Sequence, residues 1–194
     1  FMLRVKLVQG AMNVEQMRTL SGISKEFARG TASFTTRQDL QFHFIQVRHL
    51  PEIFYRLKSA GLTSVFAAGD VPRNIATCPV AGIDHREIYD VRELVTEVND
   101  YFSGNRTLDN LPRKFKVGIS GCSKHCMGHE IQDLSFTAVK KEHGQVLFDV
   151  SVGGGLASNK QFAHHIGYVL PEQVLEVVRA VSVIYRDHGL RKSR

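Results

Sequence analysis

The sequence predicts an α+β fold in two parts, and three patterns lead to this prediction. Short runs of alternating apolar and polar residues indicate strands in both halves of the chain. Stretches with apolar side chains at helical spacing lie between these runs. A Gly- and Pro-marked stretch at residues 69–82 begins the second group of elements. With 194 residues, the chain can form one domain or two small ones.

In the first part, residues 1–8 alternate as a strand does, and Asn13 is placed to cap a helix. Residues 34–47 are predicted to be extended, and a second helix is predicted to begin near Leu50. Strand, helix, strand pair and helix are typical of a ferredoxin-like layer. We therefore expect a ferredoxin-like half-domain over residues 1–66.

Residues 67–194 are expected to form a larger mixed α/β domain. Its predicted elements are a helix from Asp84 to about Phe102, strands at residues 115–120, 134–139 and 146–152, and a last helix from Pro171.

Two motifs in this second part have simple interpretations. The triple glycine at residues 153–155 lacks the Lys-Ser/Thr of a P-loop, so a tight turn or a close backbone approach to a planar ligand is favoured over a nucleotide site. The pair His164-His165 is predicted to lie in a solvated loop.

Composition excludes several classes of function. The net charge is +6, from 25 Lys and Arg against 19 Asp and Glu, without the interleaved aromatics or recognition motif typical of nucleic-acid binders. An anionic small ligand or an acidic protein partner fits this charge. No apolar run approaches the roughly 20 residues that span a bilayer, so no membrane association is expected. Three cysteines are too few for a disulfide framework, which predicts a reducing, cytoplasmic location.

Lys114 and Lys116 begin the first predicted strand of the second part. Alternate residues of a strand share a face, so the two ammonium groups should lie about 7 Å apart and repel each other unless an anion lies between them. The alternative is an exposed strand with solvated lysines. The C-x3-C pair Cys122 and Cys126 follows directly.

The cysteines alone indicate little. A site made only of thiolates needs four, and the chain has Cys78, Cys122 and Cys126. His125 or His129 could complete a zinc set, although the spacing matches no common zinc ribbon. Structural cysteines are the alternative.

Several basic residues lie at strands or in Gly/Pro-marked loops and not on helix faces. Such positions can converge at one end of a sheet, where sites are commonly built, or can be scattered surface charge. They are Arg4, Arg37, Arg73, Lys114 and Lys116.

Four motifs occur together in one order. They are Met2–Lys6, Thr35–Gln38 with Phe42-His43, Gly69-Asp70 with Arg73-Asn74, and Leu111–Lys116. In this combination the chain resembles the sirohaem-dependent nitrite and sulfite reductases over nearly its whole length. The family's polypeptide is an internal duplication, and this chain is similar to the N-terminal half, a ferredoxin-like half-domain followed by the first copy of the sirohaem/4Fe-4S-type domain.

The resemblance implies roles for individual residues and partners. The cations that would hold the oxyanion at the sirohaem iron are Arg4, Arg73, Lys114 and Lys116. The residues that would bind the carboxylates of sirohaem are Thr36, Arg37, Gln38, His43 and Arg113. The implied substrates are nitrite or sulfite, and the implied electron donor is a ferredoxin or a reductase flavoprotein.

The cysteines depart from the family pattern of a C-x5-C pair and a C-x3-C pair. Cys122 and Cys126 match the second pair, but Cys78 has Pro72 where its partner would stand. The resemblance therefore implies a pseudo-site in this first copy, with the [4Fe-4S] cluster of the complete enzyme not ligated by this chain alone.

Two other hypotheses stay open at this point. The chain could be a stand-alone module, in which two copies form a homodimer where the duplicated halves would meet and bind a tetrapyrrole or scaffold a partner without catalysis. It could also be a zinc or iron–sulfur redox protein that uses all three cysteines.

Overall fold

The computed structural model describes residues 1–124, 126–140, 142–157 and 160–191. The buried apolar side chains form two clusters, one drawn from residues 5–62 and one from residues 75–178. The predicted boundary between residues 66 and 67 lies between these clusters and stays a prediction. No helix within the described ranges is both long and apolar enough to cross a membrane.

The first cluster is enclosed by a small antiparallel sheet and two helices. The elements are β1 (Leu3–Lys6), α1 (Val14–Phe27), β2 (Ser33–Phe34), β3 (Asp39–Phe42) and α2 (Leu50–Ser59). The strand order is β1-β3-β2. The predicted order of strand, helix, strand pair and helix is confirmed.

The cap of α1 forms as predicted. The Asn13 side chain accepts a hydrogen bond from the Gln16 amide at 2.8 Å, and the Gln16 side chain accepts one from the Asn13 amide at 3.0 Å. These bonds satisfy amides at the helix start that have no partner within the helix. Leu20 and Ile23 then point into the first cluster.

The second cluster lies against a four-stranded mixed sheet. The elements are α3 (Arg92–Phe102), β4 (Val117–Ser120), β5 (Leu134–Lys140), β6 (Val146–Val152), β7 (Gly155–Leu156), β8 (Lys160–Gln161), β9 (His164–Val169) and α4 (Val174–His188). The large sheet has the order β4-β5-β6-β9, in which β4 and β5 are parallel and the other pairs antiparallel. Strands β7 and β8 pair separately.

The Gly/Pro-marked loop extends this sheet beside β4. The Arg73 amide donates to the Phe115 carbonyl at 2.9 Å, and the Ala76 amide donates to the Val117 carbonyl at 3.0 Å. The segment between Pro72 and Ala76 therefore runs parallel to β4 along the edge of the sheet. This pairing fixes the position of Arg73.

The predicted start of the third helix at Asp84 is wrong, because α3 begins at Arg92. Asp84 instead accepts hydrogen bonds from the backbone amide and guanidinium of Arg86 at 3.0 and 2.9 Å. The amides of Ile88 and Tyr89 donate to the Gly121 carbonyl at 2.9 and 3.3 Å. These long-range bonds hold the segment in a non-helical path.

The prediction that His164 and His165 lie in a loop is also wrong. Both belong to β9, which pairs with β6, and the His165 ring lies 3.0 Å from the Asp149 carboxylate across the two strands. Pairing with β6 makes this segment a strand, although its local sequence does not predict one.

Candidate functional site

Six cations converge where the two parts of the chain meet. They are Arg4 of β1, Arg37 of the turn before β3, Arg73 of the segment beside β4, and Arg113, Lys114 and Lys116 leading into β4. Partial desolvation lowers the pKa of Lys114 most, followed by the charges of Arg73, Arg113, Lys116 and Arg4. The predicted convergence of basic residues is therefore present in the structure, and scattered surface charge does not describe it.

Asn74 holds the two parts together beneath these cations. Its buried amide nitrogen donates to the carbonyls of Leu7 and Arg37, both at 3.0 Å, and of Gln38 at 3.3 Å. The Gln38 side-chain oxygen in turn accepts a hydrogen bond from the Thr77 amide at 3.0 Å. The turn that carries Arg37 is thus fixed to the segment that carries Arg73.

Backbone carbonyls orient the Arg73 guanidinium. Its Nε and Nη2 donate to the Gly69 carbonyl at 3.0 and 2.9 Å, and its Nη1 donates to the Ala67 carbonyl at 3.3 Å. Burial lowers the pKa of Arg73 most, and the charge of Arg4 lowers it further. These contacts aim the charge without neutralising it, because carbonyls carry no net charge.

Arg37 is held inside the junction. Its Nη2 donates to the Gln132 side-chain oxygen at 2.6 Å, and its Nη1 donates to the carbonyls of Asn74 and Val117 at 3.3 and 3.2 Å. Burial lowers the pKa of Arg37, and the nearby carboxylates of Asp133 and Asp39 oppose that shift. Arg37 is therefore a rigid, partly desolvated cation.

Lys114 and Lys116 line one cleft of about 630 Å³, together with Arg113 and the triple glycine. Lys116 Nζ lies 3.4 Å from the Asp133 carboxylate and donates to the Ile131 carbonyl at 3.3 Å. Lys114 is exposed and forms no ion pair with a carboxylate in the described part of the chain. Arg113 pairs with Asp70 at 3.2 Å.

Two acidic residues belong to this cluster and were not predicted from the sequence. Asp39 is almost fully buried, and its burial raises its pKa to about 6 against the opposing charges of Arg4, Lys6, Arg37 and Arg73. Burial also raises the pKa of Asp133, with Lys116 opposing. The sequence did offer a signal for each residue. Asp39 comes directly after the Thr35–Gln38 motif, and Asp133 comes directly before an apolar strand.

The triple glycine is explained by a close approach of backbone to backbone. The amides of Gly153 and Gly154 donate to the carbonyls of Asp133 and Gln132, both at 2.9 Å. A Cβ on Gly154 would overlap the Glu130 carbonyl and lie 2.6 Å from the Gln132 carbonyl. Glycine lets the chain pass there while still lining the cleft.

The remaining residues predicted to bind sirohaem lie apart from the cleft cations or face inward. Thr36 is exposed in the turn beside Arg37. Gln38, with a left-handed φ of 58°, points its side chain at Thr77. His43 is exposed after β3, 6.3 Å from the Phe44 ring, and no contact among the described residues joins it to the six cations.

The three cysteines lie near one another. Cys78 and Cys122 are buried and Cys126 is exposed. Burial raises the pKa of the Cys78 thiol, and the neighbouring thiols of Cys126 and Cys122 raise it further. Within the described ranges, no three His, Cys, Asp or Glu side chains are arranged to hold a metal ion, and His125 lies outside those ranges. The chain has three thiolates, one fewer than the four that hold a [4Fe-4S] cluster, so its own cysteines do not fit one.

The cation cluster does fit a polyacidic ring. Six guanidinium and ammonium groups face three carboxylates, those of Asp39, Asp70 and Asp133, so the site has a net positive charge. Sirohaem carries eight carboxylates, for which guanidinium groups are suitable partners.

Two family models match the chain. One, described as the nitrite and sulphite reductase 4Fe-4S domain, covers residues 68–194. The other, described as the nitrite/sulfite reductase ferredoxin-like half domain, covers residues 1–60.

Curated proteins and a solved structure agree with these matches. The chain is 41% identical to a ferredoxin sulfite reductase of Mycobacterium tuberculosis, matching 100% of the chain and 35% of that protein. It is 35% identical to an assimilatory ferredoxin-dependent nitrite reductase of Haloferax mediterranei, covering 36% of that protein. The NirA protein structure from Mycobacterium tuberculosis superposes with a TM-score of 0.91 at 40% identity, over 98% of this chain and 35% of that one.

The chain thus spans about a third of the length of the curated relatives it matches. Both predicted modules, the ferredoxin-like half-domain and the larger reductase domain, are confirmed. The chain belongs to the nitrite and sulphite reductase family.

Proposed function

We propose that this chain supplies the cationic substrate-binding and cofactor-binding residues of a sirohaem-dependent reductase, which converts nitrite to ammonia or sulfite to sulfide. The observation that carries the proposal is the convergence of six cations from separate segments, three of which, Arg113, Lys114 and Lys116, line one cleft. Both substrates are small oxyanions, so the proposal covers both. The relatives are named as ferredoxin enzymes, which supports a ferredoxin as the electron donor.

In the proposed enzyme, bound sirohaem would supply the iron centre at which six electrons reach the substrate. Residues of this chain would provide charge and protons. Arg37 and Arg113 would hold ring carboxylates through their guanidinium groups, with Thr36, Gln38 and His43 as further candidates. Arg4 and Arg73, fixed by backbone carbonyls, would stabilise the negative charge on the substrate oxygens.

Lys114 and Lys116 would serve as cations and proton donors beside the oxyanion. Reduction of an oxyanion releases its oxygens as water and therefore consumes protons. The lowered pKa of Lys114, caused by partial desolvation and then by neighbouring cations, makes its ammonium a better acid than a fully solvated lysine. Lys114 is thus suited to proton delivery.

The cluster of the complete enzyme is proposed to be ligated elsewhere, since this chain has three cysteines and a cluster held by thiolates needs four. We propose a second half, which the chain's share of its relatives' length leaves room for. The cytoplasmic location expected from the cysteine content stays a prediction.

The test is an anaerobic purification of the chain, alone and within its complete enzyme, after expression with sirohaem synthesis. The expected result is a sirohaem absorbance in the complete enzyme, reduction of sulfite or nitrite by a reduced dye, and less than one [4Fe-4S] cluster per isolated chain. A complete protein that neither binds a tetrapyrrole nor reduces either anion would overturn the proposal.

A stand-alone, dimeric tetrapyrrole-binding module is the second candidate. Exposed apolar side chains support it, among them Phe34, Phe162 and Ile166, because such side chains are suited to contact another surface. Sedimentation of the purified chain with and without sirohaem separates the candidates. A stable dimer that binds the ring but has no reductase activity supports the module.

A further inference from the structure

Three consecutive residues before β5 present acceptors to two of the six cations. The Ile131 carbonyl accepts from Lys116 Nζ at 3.3 Å, and the Gln132 side-chain oxygen accepts from Arg37 at 2.6 Å. The Asp133 carboxylate accepts from the Lys116 backbone amide at 2.7 Å and lies 3.4 Å from its Nζ. We call Ile131–Asp133 the acceptor segment.

The acceptor segment is itself fixed from behind. The Gln132 side-chain nitrogen Nε2 donates to the carbonyls of Met127 and Gly128 at 2.9 and 3.2 Å. The amides of Gly153 and Gly154 donate to the backbone carbonyls of Asp133 and Gln132. The acceptors are therefore in place before any ligand arrives.

Asp133 distinguishes the two lysines of the cleft. Its carboxylate contacts both the backbone amide and the ammonium of Lys116. One carboxylate therefore holds the backbone directly before β4 and the lysine side chain. Lys114 is exposed and has no carboxylate ion pair among the described residues. Lys116 is consequently the more constrained of the two ammonium groups.

We infer that Asp133 is a positioning residue, which holds the Lys116 ammonium in the orientation that the reaction uses. This inference rests on the proposed function. A preorganised charge stabilises a transition state better than one that must reorient. A carboxylate also reduces the positive potential of the cleft, so removal of its charge should not weaken anion binding.

The experiment uses the complete reductase with sulfite or nitrite as substrate. Asp133→Asn should lower kcat about tenfold to a hundredfold, while KM stays equal or falls and the sirohaem absorbance per chain is unchanged. Asp133→Glu, which keeps the charge, should recover most of kcat. Asp149→Asn, which removes a carboxylate paired with His165 on β6 and β9, is the matched control and should retain normal turnover.

A double-mutant cycle shows whether Asp133 acts through Lys116. In the Lys116→Ala background, Asp133→Asn should change kcat less than about twofold, since no ammonium remains to be oriented. Side-chain nitrogen NMR of the isolated chain gives an independent readout. The Lys116 ammonium signal should be protected from exchange in the wild type and lose protection in Asp133→Asn.

Three results would overturn the inference. The effects of Asp133→Asn and Lys116→Ala on kcat could multiply in the double mutant, or Asp133→Asn could raise KM and leave kcat unchanged. The exchange protection of the Lys116 ammonium could also be the same in Asp133→Asn as in the wild type. If Asp133→Asn and Asp133→Glu both lose sirohaem or thermal stability, the role of Asp133 is structural. That result would also overturn the inference. The proposed function fails separately, if Lys116→Ala and Lys114→Ala both turn over like the wild type.

Discussion

Arg4 and Arg73 donate hydrogen bonds to the same backbone carbonyl, that of Ala67, at 3.0 and 3.3 Å. One residue comes from the first strand and the other from the segment beside β4, so this carbonyl joins two like charges. Burial lowers the pKa of Arg73 most, and the charge of Arg4 lowers it further. In the proposed function, this pair would receive the negative charge of the substrate.

Arg73→Lys should weaken sulfite binding by the complete enzyme about tenfold, equivalent to about 1.4 kcal/mol. The reason is that a lysine cannot reproduce the fork that binds the carbonyls of Gly69 and Ala67. Titration of the sirohaem absorbance with sulfite measures the dissociation constant. Arg48→Lys, an exposed change outside the site, serves as the control, and equal affinities in all three proteins would contradict the prediction.

Lys114→Ala should reduce turnover about a hundredfold, while the sirohaem absorbance stays largely intact. The substitution removes the exposed ammonium of the cleft without touching the inward-facing groups that hold the fold together. Steady-state rates with a reduced dye, compared with Lys58→Ala on α2, provide the measurement. Wild-type turnover in Lys114→Ala would remove this lysine from the site.

Asp39→Asn should raise the free energy of unfolding at pH 7, by at most about 3 kcal/mol. The pKa of Asp39 rises from 3.8 to about 6 on folding, mainly through burial. The folded state thus gains stability from the protonated carboxyl below pH 3.8 and loses it as the pH rises through 6. An amide has no such loss.

Urea unfolding of Asp39→Asn and wild type at pH 4 and pH 7 measures this effect. The difference between the two proteins should be large at pH 7 and small at pH 4. A variant that is less stable than the wild type at pH 7, by more than at pH 4, would contradict the prediction and show that the charge of Asp39 is needed against Arg4 and Lys6.

Gly154→Ala should destabilise the chain by about 2 kcal/mol or more and loosen the Gln132 contact with Arg37. The added methyl group would overlap backbone atoms of Glu130 and Gln132, which cannot move as a flexible side chain can. Gly22→Ala in α1 meets no atom within 4 Å and should stabilise by about 0.5–1 kcal/mol. Thermal melts of both variants test the contrast, and equal shifts would contradict it.

The first part of the fold was predictable because its signals are local. The cap at Asn13, the helix start near Leu50 and the alternation of residues 1–8 depend on neighbours a few positions away. The start of α3 and the strand at His164 were missed, because bonds to Gly121 and pairing with β6 decide them. These partners are distant along the chain, so the local sequence does not predict them.

The site divides in the same manner. Its cations were predicted from their positions at strands and in Gly/Pro-marked loops, and from the family motifs. Both are visible in the sequence. Asp39, Gln132 and Asp133 were missed, because a carboxylate or amide becomes part of a site only through what lies beside it. The inward direction of Gln38, toward Thr77, also depends on the packing of the two parts.

The amino-acid order alone was enough to predict the elements of the first part, the family and the supply of cations, since periodicity, caps and motifs are properties of neighbouring residues. Which cations are held in place, and by which groups, became visible in the folded chain. Arg37 and Lys116 are fixed by acceptors at residues 131–133, whereas Lys114 stays exposed. The physical reason is that orientation and desolvation of a charge depend on the groups that folding brings around it.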